Sequence, residues 1–214
     1  MNTMKKSFVL LVAIVGGMLS NPAFAQSGGG KCYDENTHII NLGVGFGNSY
    51  YKFNNRTGYE FGRTPVFLLS YEQPLRNKVG PGYIGVGGLF AFQNAHERFN
   101  YDYYYNNGNH RYYNQNTWND YVIAGRATYH WDGLIAEKAE VYGGALIGVR
   151  ISSYKYTSNN PDPYYKNEVL SEGSVYPVFG AFIGARYYFV PNVAVYSEIS
   201  STVSFISAGF TFKF

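Results

Sequence analysis

Residues 203–214 read Val-Ser-Phe-Ile-Ser-Ala-Gly-Phe-Thr-Phe-Lys-Phe, and from Ile206 onward every second position is apolar. In an extended chain successive side chains point to opposite faces. Ile206, Ala208, Phe210, Phe212 and Phe214 therefore share one face, opposite Ser207, Gly209, Thr211 and Lys213. A stretch of about ten residues with this alternation has the length of a tilted strand crossing a bilayer. It is too short and has the wrong period for a membrane helix.

Working back from it, the same alternation recurs seven more times. Residues 38–48 set Ile40, Leu42, Val44 and Phe46 against Asn41, Gly43, Gly45 and Gly47. Residues 64–72 set Phe67, Leu69 and Tyr71 against Ser70 and Glu72, and residues 82–94 set Ile84, Val86, Phe90 and Phe92 against Gly85 and Gly87. In residues 118–131, Tyr121, Ile123, Ala127, Tyr129 and Trp131 oppose Asp120, Arg126, Thr128 and His130. Residues 139–152 set Val141, Ala145, Ile147, Val149 and Ile151 against Glu140 and Arg150. Residues 174–188 set Val175, Phe179, Ala181, Ile183 and Tyr187 against Gly180, Gly184 and Arg186. Residues 192–200 set Val193, Val195 and Ile199 against Glu198.

Eight such strands predict an all-β, eight-stranded antiparallel up-and-down transmembrane β-barrel, because an even count lets a barrel close with both termini on one side. Connections at residues 49–63, 95–117 and 153–173 are long; those at 73–81, 132–138 and 189–191 are short. Long outer loops alternating with short inner turns is the membrane-barrel rhythm. Only the last connection, Ser201-Thr202, breaks it. Composition agrees. Charged residues are 14% of the chain, against about a quarter in soluble domains, while aromatics reach 19% with 23 Tyr.

The N-terminus reads as a secretory signal over residues 1–25. Lys5 and Lys6 precede an apolar stretch from Phe8 to Leu19, then Asn21-Pro22 and the small-residue pattern Ala23-Phe24-Ala25. Cleavage before Gln26 removes 25 of 214 residues and leaves 189. Lys5 and Lys6 leave with it, so 17 Lys and Arg become 15 against 14 Asp and Glu. A net charge of +1 is no nucleic-acid footprint. The remaining organisation is an N-terminal arm at 26–37 and a barrel at 38–214. The single cysteine, Cys32, allows no intramolecular disulfide and is expected as a free thiol in a flexible arm.

With these strands in place, the chain resembles the small OmpA/OmpX-type outer-membrane barrels of Gram-negative bacteria. The resemblance covers residues 39–214 and is most specific at Ile206, Ala208, Phe210, Phe212 and Phe214, which resemble the family's terminal signal to the barrel-assembly machinery. It implies the outer membrane as location, its lipid as partner, and a single domain without the peptidoglycan-binding domain of OmpA-type proteins.

Charges on a strand's lipid face cost about 2–4 kcal/mol at mid-bilayer. Glu72, Arg126, Glu140, Arg150, Arg186 and Glu198 all fall on the minority face and are expected in the lumen as a polar network. Eight strands enclose just enough space for their own side chains, and inward Leu68, Leu89, Val178 and Phe182 add filling. The expectation is a plug; a narrow pore or uptake accessory is the alternative. Outward aromatics near the short-turn end, Tyr71, Tyr129, Trp131, Tyr187, Phe212 and Phe214, suit an interfacial girdle.

Residues 99–113 hold Tyr101, Tyr103, Tyr104, Tyr105, Tyr112 and Tyr113, and Tyr154, Tyr156, Tyr164 and Tyr165 lie in a second long connection. Tyrosine offers flat apolar area with a polar tip, so these loops are candidates for an extracellular ligand. Gly43-x-Gly45-x-Gly47 lacks dinucleotide-site spacing and fits room-making inside a barrel instead. His38, His96, His110 and His130 have no zinc-ligand spacing, and none precedes a Ser by two residues as in a lipid A deacylase. No catalytic centre, metal or cofactor is expected. An outer-membrane enzyme ranks third, behind an envelope-structural or surface-interaction role and a pore.

Overall fold

The computed structural model describes residues 32–47, 58–75, 77–105, 108–160 and 171–214. They form one antiparallel sheet of β1 (Ile39–Phe46), β2 (Tyr59–Arg63), β3 (Val66–Pro74), β4 (Gly82–Tyr105), β5 (Gly108–Ile135), β6 (Ala139–Ser158), β7 (Ser171–Val190), β8 (Val193–Ser200) and β9 (Ile206–Lys213). Each strand pairs with its neighbours in the order β4-β3-β1-β9-β8-β7-β6-β5, and β5 pairs back onto β4. The sheet is a closed ring. The alternating terminal stretch is its closing strand: Ile206 lies opposite Phe46 and Lys213 opposite Ile39.

Nine strands stand where eight were expected, yet the circumference is eight. β2 and β3 lie end to end along β4, against residues 95–99 and 85–92 respectively. Between them Pro65 brings no N–H to the ladder, while the Thr64 N–H still reaches the Asn94 carbonyl at 2.9 Å.

Two long connections also require correction. Residues 95–117 are mostly strand: β4 and β5 stay paired from Ala95 opposite Trp118 up to Tyr105 opposite Gly108. Residues 153–158 likewise continue β6, and β7 begins at Ser171. Above the lipid a strand has no reason to alternate apolar with polar, so this extension carried no alternation to read. Tyr164 and Tyr165 fall outside the described residues.

Outside, Phe67, Phe90, Ile123, Ile147, Phe179 and Phe210 are exposed, with Ile147 at 73% and Phe179 at 77%. So much apolar area facing outward suits hydrocarbon rather than water. Backbone groups at this depth are paired around the ring, the requirement lipid imposes.

Inside, the lumen is filled in three storeys. At the short-turn end sit Cys32, Tyr33, Ile39, Tyr83, Ile135 and Tyr188. In the middle is a storey of buried charge. Above it Leu68, Leu89, Val122, Leu146, Phe182 and Val203 pack together. Val203, expected at the start of the last strand, instead lies in the outer connection, which runs over residues 201–205 rather than Ser201-Thr202 alone. That turn folds inward: Ser201 N–H donates to the Ala181 carbonyl at 3.0 Å, Thr202 Oγ1 to the Phe179 carbonyl at 3.1 Å, and Val203 and Ser204 are buried. Gly43 does make room, since a Cβ there would collide with the Tyr196 hydroxyl.

Cys32 is not in a free arm. It is 2% exposed, its N–H donates to the Ala136 carbonyl at 3.1 Å, and burial pushes its thiol pKa up to about 12.

Candidate functional site

Strand alternation places Glu72, Arg126, Thr128, His130, Glu140, Tyr142, Arg186 and Glu198 on the inward face, and all are buried. Desolvating one such ion costs on the order of several kcal/mol unless charge and hydrogen bonds offset it. Here they do. Arg126 Nη2 lies 2.8 Å from Glu198 Oε1 and 4.0 Å from Glu72 Oε2. Arg186 Nη1 lies 2.7 Å from Glu140 Oε1, and its Nη2 lies 3.5 Å from Glu72 Oε2. Thr128 Oγ1 donates to Glu72 Oε2 at 3.0 Å, and the Tyr142 hydroxyl donates to Glu198 Oε1 at 2.9 Å. Both guanidiniums also stack on rings, Arg126 at 4.2 Å over Phe182 and Arg186 at 4.0 Å over Tyr142.

His130 sits at the centre. Its Nε2 is 2.6 Å from Glu72 Oε1 and its Nδ1 is 2.9 Å from Glu140 Oε2. A neutral imidazole donates from one nitrogen only, so both contacts are hydrogen bonds when the ring is doubly protonated. In that form the three carboxylates face two guanidiniums and one imidazolium, and the storey is neutral.

Five of the six residues expected to form the lumen network are thus brought together. Arg150 stands apart. Opposite Val122 and Tyr176, it is half-buried and lies 4.9 Å over the Tyr176 ring, in a higher storey. Sequence reasoning passed over His130 and Tyr142 as members, although His130 shares a face with Arg126 and Tyr142 follows Glu140 by two. Parity alone carried that signal. Among the described residues no three His, Cys, Asp or Glu side chains are arranged to hold a metal ion.

At the closing strand, Ile206, Ala208, Phe210 and Phe214 are exposed on the outer face and Phe212 is half-buried. The Phe214 main chain exchanges two 3.0 Å hydrogen bonds with His38, and its ring stacks on the His38 ring at 5.7 Å.

The tyrosines of the extended β4–β5 hairpin divide between its two faces. Tyr101 and Tyr112 oppose each other with centroids 6.2 Å apart, and Asn160 Nδ2 donates to the Tyr101 hydroxyl at 3.1 Å. On the other face Arg98 lies 3.9 Å over the Tyr113 ring, and Tyr104 is 68% exposed. Tyr103 and Tyr105 are on the paired backbone; their side chains lie outside the described set.

A closed eight-stranded antiparallel ring with an apolar exterior and a filled interior defines the class: a transmembrane β-barrel of the outer-membrane kind. The chain matches no protein-family model and no curated protein. Among solved structures it is similar to Ail, the attachment invasion locus protein of Yersinia pestis, at 16% identity and a TM-score of 0.43, covering 84% of this chain and 96% of that one. Ail in complex with the heparin analogue sucrose octasulfate gives 15% identity and a TM-score of 0.41 over the same shares of each chain. The backbone structure of Ail in a phospholipid bilayer nanodisc gives 18% and 0.37, covering 84% of this chain and 100% of that one.

Proposed function

We propose that this protein is a non-enzymatic outer-membrane barrel that acts as a rigid post for surface interaction, with its extracellular wall as the contacting part. One observation carries the reading: a barrel filled from end to end supports a hairpin far longer than a membrane crossing needs. β4 has 24 residues and β5 has 28, against about ten for a tilted membrane strand. The paired stretch from Ala95 to Tyr105 extends about 35 Å at about 3.3 Å per residue. An extended hairpin held at its base by six more strands presents aromatic side chains with little freedom to lose on binding.

Two measurements test it. Planar bilayers containing the purified barrel should show no porin-sized conductance. Cells displaying the protein should bind some members of an array of glycans and extracellular-matrix proteins, and a hairpin shortened at Arg98 and Asn114 should lose that binding while the barrel still assembles. Steady conductance, or binding indifferent to the hairpin, would remove the reading.

A further inference from the structure

The segment just before β1 does not trail away from the barrel. His38 is fixed at the rim by its two main-chain bonds to Phe214. A tight turn follows in the N-terminal direction: Asp34 Oδ1 accepts from the Asn36 N–H at 2.9 Å and from Thr37 Oγ1 at 2.9 Å, while the Asp34 N–H donates to Thr37 Oγ1 at 3.0 Å. Such Asx geometry reverses a chain locally. The reversal sends Tyr33 up into the lumen, where it is fully buried. Its ring lies 3.6 Å from that of His130, at an interplanar angle of 9°, and 6.1 Å from Tyr83. Lys213 Nζ donates to the Cys32 carbonyl at 3.3 Å.

We propose that residues 32–37 are a strap that seats in the short-turn mouth after the barrel has closed and shuts the buried charge storey off from the periplasm. The order follows from the construction of the seat. Tyr33 packs in one cluster with Ile39 of β1, Tyr83 of β4, Tyr188 of β7 and Ala194 of β8, and against His130 of β5. Strands from opposite sides of the ring supply these groups, so the seat exists only once the ring is complete. The consequence follows from where Tyr33 lies. Its ring covers the face of His130, which bonds both Glu72 and Glu140, and a seated ring leaves periplasmic water no approach to that face.

Cys32 reports the seating directly, being the only cysteine in the chain. Burial raises its thiol pKa from 9.0 to about 12, on the order of a thousandfold less thiolate at neutral pH. The mature protein in detergent micelles, with both mouths accessible, is treated with a maleimide. Labelling of the folded wild type should be at least about a hundredfold slower than labelling of the unfolded chain. Tyr33→Ala should label near the unfolded rate while still showing the gel shift of a closed barrel, and Tyr33→Phe should stay protected. In refolding sampled by maleimide pulses, protection should appear later than the gel shift. Fast labelling of the folded wild type, or full protection of Tyr33→Ala, would overturn the proposal. So would protection that precedes ring closure. Failure of Tyr33→Ala to form a closed barrel would overturn it too, because a strap that seats after closure is not needed for closure.

Discussion

Arg126 is tied to four neighbours: Glu198 at 2.8 Å, Glu72 at 4.0 Å, the Ser70 hydroxyl at 3.4 Å and the Phe182 ring at 4.2 Å. Breaking a buried pair by removing one partner leaves an uncompensated charge and costs about 3–5 kcal/mol. Arg126→Met should therefore lower the urea-unfolding free energy of the barrel in lipid vesicles by about that much, without abolishing folding. Removing the stranded carboxylate as well, in Arg126→Met with Glu198→Met, should recover much of the loss, a coupling that a double-mutant cycle measures. Ile147 provides the opposite test, since it is 73% exposed on the outer face. Ile147→Arg should cost about 2–4 kcal/mol through lipid alone. A harmless Ile147→Arg beside an Arg126→Met that blocks insertion would mean the two faces are reversed.

The closing strand makes a prediction of its own. Phe214 continues the apolar face of β9 one residue past its end, and its main chain is bonded to His38, the residue just before β1. If assembly reads this strand, deleting Phe214 should lower the amount of barrel in outer membranes and leave unassembled protein for periplasmic proteases, as an immunoblot of the two fractions shows. Unchanged surface levels would limit the role of Phe214 to local packing. The same strand explains how much of the fold was legible. Where lipid faces one side, a strand must alternate, so all eight crossings and their inward charges could be read from residue parity. Where lipid ends, the constraint lapses. The upper reaches of β4 and β5 alternate no aliphatic residues, and their pairing rests on contacts such as Tyr101 with Tyr112 that no local pattern announces. β2 was hidden for a different reason, Pro65 having cut its strand in two. The seat of Tyr33 was hidden as well, since five strands distant in sequence build it.

At the scale of the molecule, the lumen storeys differ in what they exclude. The charge storey is polar and tolerates water, so on its own it is a poor barrier to ions. The storey above it is a layer of Leu68, Leu89, Val122, Leu146, Phe182 and Val203, in which an ion would lose its hydration with nothing to replace it. On the outer side of the charge storey, closure to ions therefore rests on this apolar storey, while the seated Tyr33 cluster closes the other side. Arg126→Met leaves that storey in place and should keep planar-bilayer conductance at the wild-type level, even in a less stable barrel. Replacing Leu68, Leu89 and Leu146 together by Ser removes much of its bulk and adds hydroxyls that hold water. This triple variant is made on a Tyr33→Ala chain, so that the strap no longer closes the other side. Each large-to-small change at such a site costs about 2–5 kcal/mol of packing. Three such changes together approach the whole stability of a typical domain, about 5–15 kcal/mol, so the gel shift of a closed barrel is checked first. Barrels that have closed should show brief ion-carrying openings. Conductance that rises in Arg126→Met but not in the triple variant would place the barrier in the charge storey instead.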